Sequence, residues 1–192
     1  MMPTLYAQLA YYSWFVLFIV WFIGYFGTKR TLQIPQWGEQ VFVLVLLIVA
    51  FSLLFNANAL PGVFGAQLYT LNTAVGMLGV FVAWVGVVFA IWARVTLGSN
   101  WSGAVVTIKK DHALVQHGPY AFVRHPIYSG FLAAALGTAM TLGTFGEFLA
   151  VLIILVAFLI RVHREEFMMT TQFPNEYRGY MTRTKALIPF IW

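Results

Sequence analysis

The chain changes from a polar, basic stretch to an apolar one within the segment Gly118-Pro119-Tyr120-Ala121-Phe122-Val123-Arg124-His125-Pro126-Ile127-Tyr128-Ser129-Gly130. Two prolines and two glycines interrupt this segment, so it cannot form one continuous helix. Pro126 disfavours helical geometry at His125 and is itself suited to the first turn of a helix. We therefore predict a turn that is followed by a helix beginning at the proline.

The composition indicates a membrane protein. Of the 192 residues, 61% are apolar and only 9% are charged, whereas soluble domains are about 45–50% apolar and about 25% charged. The net charge of +5 could indicate nucleic-acid binding. In so apolar a chain, it fits better a protein whose basic side faces anionic lipid. We predict a single integral membrane domain that covers residues 1–192.

Several classes of site are excluded by what the sequence lacks. Cysteine is absent, which excludes disulfides, thiolate metal sites and a cysteine nucleophile. The four histidines show no spacing typical of zinc, so we predict no metal. The chain also has no Gly-x-Gly-x-x-Gly motif opening a helix after a strand and no phosphate-binding Gly-x-x-x-x-Gly-Lys motif.

Apolar runs predict the transmembrane helices. They cover residues 5–26, 41–55, 71–93, 127–141 and 148–160. The last run is short for a span, so we expect its helix to continue through Glu166 until Pro174 stops it. A shorter helix around residues 176–183 and an apolar C-terminus are expected at the membrane surface. The predicted fold class is an all-α integral membrane protein with about five transmembrane helices.

The basic residues predict the orientation in the membrane. With this set of spans, all 11 Lys and Arg residues fall on one side. By the positive-inside rule, the N-terminus then lies outside and the C-terminus lies in the cytoplasm. Three polar pieces meet on the cytoplasmic side, namely residues 98–128, residues 161–166 and the C-terminal tail. We therefore predict a site at the cytoplasmic edge of the membrane, where ionisable groups are costly and are candidates for function.

Small residues recur four apart in the third and fourth runs. This spacing lets helix backbones approach closely in lipid, and we interpret it as helix packing rather than as a site. The pairs are Gly79 with Ala83, Gly86 with Ala90, Gly130 with Ala134, and Ala133 with Gly137.

The second half of the chain carries a series of short motifs. In order they are Gly98-Ser99-Asn100-Trp101, His112-Ala113-Leu114-Val115, Gly118-Pro119-Tyr120, Arg124-His125-Pro126-Ile127-Tyr128, Arg161 followed by Glu165-Glu166, and Glu176-Tyr177. Together they resemble the isoprenylcysteine carboxyl methyltransferase family and its phospholipid N-methyltransferase relatives, over about residues 94–189. The Arg-His-Pro-x-Tyr element with a downstream Glu-Glu pair is specific as a combination, and the first two spans match only in hydrophobicity.

The resemblance implies an enzyme that uses S-adenosylmethionine and lacks the soluble methyltransferase fold. Residues 1–93 would supply three spans, and residues 94–192 would form the methyltransferase-like, cofactor-binding region. Arg161 maps to substrate binding, and we take Arg161 and Glu166 as the catalytic candidates. The residues that map to cofactor binding are His112, Ala113, Leu114, Val115, Tyr120, His125, Pro126, Ile127, Tyr128 and Glu165.

The chemistry of S-adenosylmethionine fits these residue types. Its ammonium group and ribose hydroxyls suit Glu165, and its carboxylate suits His125 or Arg124. We therefore add Arg124 to the cofactor-binding candidates. The backbone of an extended Leu114-Val115 segment would offer hydrogen bonds to adenine.

The predicted acceptor is a carboxylate on a lipid-linked, isoprenylcysteine-like substrate drawn from the bilayer. A carboxylate is already ionised at neutral pH and needs no general base. Transfer then depends on alignment and on removal of water. An amine acceptor would first have to lose a proton, and its ammonium form would be repelled by Arg161.

Other interpretations stay open from the sequence. They are a phospholipid amine N-methyltransferase, a sterol-type membrane reductase that uses NADPH, and a membrane scaffold without activity. Arg161 and Glu165 are four apart on a helix and would also suit a surface ion pair, while Arg94 and Arg164 are expected to be interface anchors. The expected location is a plasma or inner membrane in a prokaryote, or the endoplasmic reticulum in a eukaryote.

Overall fold

The computed structural model describes residues 5–26, 37–101 and 114–189, and the regular secondary structure in these ranges is helical. Short 3₁₀ turns accompany the α-helices, so the predicted all-α class is confirmed. The helices are α1 (Leu5–Tyr25), α2 (Trp37–Asn56), α3 (Thr73–Leu97), α4 (Pro126–Leu142), α5 (Phe145–Gln172) and α6 (Glu176–Arg183). The 3₁₀ turns are Ala57–Ala59, Gly62–Gly65, Gly98–Asn100 and Gly118–Ala121.

Each apolar run of the sequence corresponds to one helix. α1, α2, α3 and α5 are long and apolar enough to cross a membrane, and α4 is an apolar helix of 17 residues. α5 has 28 residues and continues well past its apolar run before Pro174, as predicted. The integral membrane class is therefore confirmed, while the orientation with the N-terminus outside stays a prediction.

α3 and α4 pack backbone to backbone along their small residues. A Cβ added at Gly86 would lie 2.5 Å from the amide nitrogen of Ala134 and 2.6 Å from the carbonyl oxygen of Gly130. A Cβ added at Gly130 would lie 2.7 Å from the Cβ of Ala90. These distances leave no room for a side chain, so the predicted packing role of the small residues is confirmed.

Aromatic side chains join α1 and α2 to this helix pair. Trp14 is 2% exposed, and its Nε1 donates a hydrogen bond to Oγ1 of Thr138 over 2.9 Å. Its ring meets Phe51 and Phe131 edge to face, which the ring quadrupoles favour. Phe131 in turn meets Phe158 of α5. The aromatic core thus continues toward the end of the bundle where α4 begins.

Arg94 differs from its predicted role as an interface anchor. It is 5% exposed, and its guanidinium donates to the carbonyls of Gly24 (2.5 Å) and Gly98 (2.9 Å). These carbonyls lie at the C-terminal ends of α1 and α3, where the helix dipoles favour a positive charge. The Trp101 ring centroid lies 4.3 Å from the guanidinium carbon. The prediction was wrong because the sequence near residue 94 does not show that the carbonyl of Gly24, at the end of another helix, lies next to Arg94.

Arg164, the second predicted anchor, forms an ion pair between helices. Its Nη1 lies 3.0 Å from Oε2 of Glu39, which joins α5 to the first turn of α2. The Arg164 side chain is 16% exposed, so most of it packs against protein.

Gly86→Ala is expected to destabilise the protein, because the added methyl group would meet main-chain atoms of α4. Overpacking of this kind costs about 1–3 kcal/mol. Thermal unfolding in detergent measures the change, with Gly38→Ala as the matched control. A Cβ at Gly38 has no atom within 4 Å, so the control should retain the wild-type Tm or exceed it slightly. Equal losses in the two variants would contradict close packing of α3 against α4.

Candidate functional site

The site begins in the turn that precedes α4. The 3₁₀ turn Gly118–Ala121 opens with Gly118 at φ 60°, a conformation that favours glycine. His125 lies outside helical geometry (φ −123°, ψ 59°), and Pro126 occupies the first turn of α4. The predicted turn followed by a helix is therefore confirmed. It places the His125 side chain against the end of α5.

His125 lies between two successive carboxylates of α5. Its Nδ1 is 3.1 Å from Oε2 of Glu165, and its Nε2 is 3.3 Å from Oε1 of Glu166. Burial lowers the pKa of His125, but its hydrogen bonds with Glu165 and Glu166 outweigh burial and hold the pKa above its usual value. Both ring nitrogens donate in a protonated imidazole, so two carboxylate partners suit the charged form.

Tyr128 stands between Arg161 and Glu165. Its hydroxyl donates to Oε1 of Glu165 and accepts a hydrogen bond from Nε of Arg161 over 2.9 Å. The direct distance from Nη2 of Arg161 to Oε1 of Glu165 is 3.8 Å, which is longer than a hydrogen bond. The Arg161 side chain is only 12% exposed. This geometry does not match the simple surface ion pair that the spacing alone allowed.

Arg124 pairs with the other carboxylate. Its Nε is 2.7 Å from Oε1 of Glu166, a charge-assisted hydrogen bond. Its Nη1 donates to the carbonyl of Thr184 and, over 3.4 Å, to the carbonyl of Met181. Arg124 therefore connects α5 with the residues that follow α6.

Tyr120 reaches the same region from the 3₁₀ turn. It is 7% exposed. Burial raises the pKa of its hydroxyl and the charge of Glu165 raises it further, so the phenol stays protonated. Its main-chain carbonyl accepts a hydrogen bond from the hydroxyl of Tyr180 in α6 over 2.5 Å.

The charges of the site balance when His125 is neutral, and the site carries one net positive charge when His125 is protonated, the form that its two carboxylate partners suit. Arg124 and Arg161 supply two positive charges, and Glu165 and Glu166 supply two negative charges. Buried charges are tolerated when they are paired and hydrogen-bonded, and here each carboxylate contacts both an arginine and the histidine. Such a site can accept a cation or hydroxyl donors at Glu165 and an anion at Arg161.

Most of the residues predicted from the sequence come together at this site. Pro126 and Ile127 form the first turn of α4, and Leu114 and Val115 are partly buried where the chain leads into the 3₁₀ turn. The residues that hydrogen bonds and ion pairs join in one cluster are Arg124, His125, Tyr128, Arg161, Glu165 and Glu166. Tyr120 lies buried in the turn that precedes them. Two further candidates, His112 and Ala113, lie outside the described residues.

The sequence analysis missed the contribution of the segment from α6 to residue 187. Tyr177 and Tyr180 are both buried, and their spacing of three on a polar helix indicates a face that packs against protein. The tail after α6 contributes main-chain carbonyls, for which no sequence signal exists because every residue has one.

Comparison with known proteins finds a family whose sequence pattern matches residues 77–171. This part, about half of the chain, matches the isoprenylcysteine carboxyl methyltransferase (ICMT) family. A Schizosaccharomyces pombe protein named protein-S-isoprenylcysteine O-methyltransferase is 40% identical over 101 residues, which cover 52% of this chain and 43% of that protein. A Cupriavidus metallidurans protein named cobalt-zinc-cadmium resistance protein CzcN is 32% identical over 154 residues, or 78% of this chain and 62% of that protein.

A solved structure has a similar fold. The eukaryotic intramembrane Ras methyltransferase ICMT matches with a TM-score of 0.57 and 27% sequence identity, over 82% of this chain and 55% of that chain. The present chain thus spans between 43% and 62% of the length of these three proteins. The resemblance seen in the motifs is confirmed, and the matched segment contains His125, Tyr128, Arg161 and both glutamates.

His125→Gln is expected to lower stability most at mildly acidic pH. Because the pKa of His125 is raised in the folded protein, its stabilising contribution is fully present below its unfolded pKa of about 6.5 and is lost as the pH rises through the folded pKa. Thermal unfolding of wild type and variant between about pH 6 and about pH 9 should therefore converge as the pH rises. His117→Gln, at an exposed histidine, is the control. A difference that widens with rising pH would contradict the raised pKa.

Proposed function

Because residues 77–171 match the isoprenylcysteine carboxyl methyltransferase family, we propose that this chain is a membrane methyltransferase that uses S-adenosylmethionine. We propose further that its acceptor is the carboxylate of a lipid-linked, isoprenylcysteine-like molecule from the bilayer. The observation that carries this proposal is the partly buried cluster in which His125 bridges Glu165 and Glu166, with Arg161 beside Glu165.

Glu165 has the chemistry to hold the cationic end of the cofactor. S-adenosylmethionine supplies an electrophilic methyl group on a sulfonium and also carries an ammonium group and ribose hydroxyls. A carboxylate offers about four lone-pair positions, and the oxygens of Glu165 face His125, Tyr128 and, at 3.8 Å, Arg161. An ammonium or hydroxyl donor can approach Glu165 more closely than the 3.8 Å that separates it from Arg161. The carboxylate oxygens of Glu165 therefore fit the ammonium group and the ribose hydroxyls of the cofactor.

The remaining cofactor contacts are proposed from the family resemblance. The partly buried Leu114 and Val115 lead into the turn that carries Tyr120, and we place the adenine on this side of the site. The family resemblance also assigns His112 and Ala113 to the cofactor, and these two residues lie outside the described residues. The resemblance also assigns Pro126 and Ile127, in the first turn of α4, to the cofactor.

Arg161 has the chemistry to orient the acceptor carboxylate. A guanidinium presents N–H donors in a planar fork that matches a carboxylate. Here Nε holds the Tyr128 hydroxyl, while Nη2 lies 3.8 Å from Glu165. A bidentate pair with an acceptor carboxylate would be stronger than this long contact, so substrate binding and the observed geometry are compatible.

The residues of this chain would act by alignment and by exclusion of water. A carboxylate acceptor is ionised at neutral pH, so no side chain has to remove a proton. The low exposure of His125 and Arg161 keeps the surroundings of the acceptor oxygen dry, which strengthens its interaction with the guanidinium. An ammonium acceptor would be repelled by Arg161, which favours the carboxylate over a phospholipid amine.

Glu166 is proposed to act through its neighbours. Sequence reasoning made it a catalytic candidate, and its carboxylate contacts Arg124 at 2.7 Å and His125 at 3.3 Å. These contacts suit a residue that orients the histidine ring. We therefore propose that Glu166 positions His125, while Arg161 contacts the acceptor.

An aromatic path supports a lipid-linked acceptor. Tyr128 stacks on Phe158 with ring centroids 4.5 Å apart, Phe158 meets Phe131, and Phe131 meets Trp21 of α1. Phe131 and Trp21 are only partly buried, and apolar side chains beside a few convergent polar groups are typical of small-molecule sites. We propose that the acceptor tail lies along this path, and that the polar end faces the cytoplasmic side of the membrane, as the positive-inside pattern predicts.

Glu165→Gln is expected to weaken binding of S-adenosylhomocysteine by about tenfold or more, because a charge-assisted hydrogen bond contributes about 1.5–3 kcal/mol. Calorimetric titration of purified protein in detergent measures this change. Glu176→Gln, at an exposed glutamate in α6, is the matched control and should bind like wild type. Unchanged affinity in Glu165→Gln would remove Glu165 from the cofactor site.

Arg161→Gln is expected to raise the KM for an isoprenylated thiol acid by about tenfold while changing S-adenosylhomocysteine affinity by less than about threefold. The assay counts labelled methyl groups in product that is released by base, because an ester is labile to base and an N-methyl amine is not. Arg178→Gln, at an exposed arginine, serves as the control. Base-stable product from a phospholipid would instead support amine methylation.

A further inference from the structure

The segment that follows α6 holds the turn before α4 through its main chain. We call residues 184–187 the docked tail. The backbone N–H of Arg124 donates to the carbonyl of Lys185 over 2.8 Å, and the backbone N–H of His125 donates to the carbonyl of Ala186 over 3.0 Å. The N–H groups at the start of a helix have no acceptor within the helix. The docked tail supplies acceptors for the N–H of the N-cap, His125, and for the N–H of Arg124 just before it.

Side chains use the other two carbonyls of the docked tail. The guanidinium of Arg124 donates to the carbonyl of Thr184, and the hydroxyl of Ser129 donates to the carbonyl of Leu187 over 2.6 Å. Each carbonyl of residues 184–187 therefore accepts a hydrogen bond from the segment that begins α4. This continuous pairing indicates a dedicated docking arrangement rather than one incidental contact.

Buried apolar side chains hold the docked tail against α5. Ala186 is 5% exposed and Leu187 is 2% exposed, and both pack with Val162 of α5 next to Tyr128. Ile188, one residue later, is 51% exposed. Leu187 is therefore the apolar side chain whose contacts hold the tail in place, and Ile188 offers a matched position without those contacts.

α6 anchors the docked tail from the other end. The hydroxyl of Tyr180 donates to the carbonyl of Tyr120, and the hydroxyl of Thr184 donates to the carbonyl of Tyr180 over 2.8 Å. Tyr180 is 3% exposed. One tyrosine thus connects the 3₁₀ turn, α6 and the first residue of the tail.

We propose that the docked tail, with Tyr180, is a positioning element of the cofactor site. It fixes the main chain of Arg124 and His125, and this keeps the His125 ring between Glu165 and Glu166. The tail itself touches neither cofactor nor acceptor in this scheme. The inference rests on the proposed function, and it concerns residues that lie beyond the family match at 77–171.

The first test undocks the tail from its apolar contacts. Leu187→Asp would bury a carboxylate, so the docked fraction should fall to about a tenth and S-adenosylhomocysteine affinity should fall about tenfold. Leu187→Met keeps an apolar side chain at this position, and its affinity for S-adenosylhomocysteine should stay within about twofold of wild type. Ile188→Asp introduces the same charge at the exposed neighbour and should bind within about twofold of wild type.

The second test leaves the apolar contacts intact and so remains informative if Leu187→Asp fails to fold. Tyr180→Phe removes only the hydroxyl that holds the Tyr120 carbonyl, and it should weaken S-adenosylhomocysteine binding about threefold or more. A positioning role predicts a raised KM for S-adenosylmethionine with the KM for the isoprenylated acid within about twofold of wild type, whereas general destabilisation would not separate the two. Tyr12→Phe, at a tyrosine that is 62% exposed, is the control.

The outcomes separate this inference from the proposed function. If wild type binds S-adenosylhomocysteine and both Leu187→Asp and Tyr180→Phe bind equally well, the positioning role is overturned and the methyltransferase proposal stands. If both KM values rise together in Tyr180→Phe, the residue is structural and the positioning role is again overturned. If wild type itself does not bind, the proposed function fails and this inference fails with it.

Discussion

The polar end of this bundle depends on one imidazole held between two neighbouring carboxylates. Successive residues on an α-helix point about 100° apart, so Glu165 and Glu166 leave α5 in different directions. The two nitrogens of His125 point away from each other, so that Nδ1 reaches Glu165 at 3.1 Å and Nε2 reaches Glu166 at 3.3 Å. Arg161 and Arg124 then complete the charge balance on the outer sides of the glutamates. Because unpaired buried charge is costly, loss of the imidazole would disturb every member of the cluster.

That arrangement is possible because α5 extends beyond the first residue of α4 at this end of the bundle. α4 begins at Pro126, so His125 is free of helical geometry, while α5 continues to Gln172 and carries its charged residues beyond the apolar run. The close packing of α3 against α4 at Gly86 sets the position of α4 in the bundle. Arg94 joins the C-terminal ends of α1 and α3. Helix packing in the apolar region therefore determines where the polar groups meet.

The parts that the sequence predicted well are those governed by local rules. The proline at 126 marked the start of α4, the polar run after residue 160 marked an extended α5, and Glu176–Arg183 was found as a short helix. Glycine and alanine spacing predicted the α3–α4 contact because periodicity on one helix needs no knowledge of its partner. The role of Arg94 and the docking of residues 184–187 were missed. Both depend on main-chain carbonyls, which every residue possesses and no motif distinguishes.

The amino-acid sequence by itself determined an all-helical membrane chain, the turn before α4 and the family motifs of its second half, because composition and local geometry decide these features. Only the tertiary structure decided which groups become partners. Tyr128 and Arg161 are 33 residues apart, and Arg124 and Thr184 are 60 residues apart. Pairing over such distances follows from how the helices stack, since an arginine in a sequence can pair with any carboxylate or carbonyl that packing brings near.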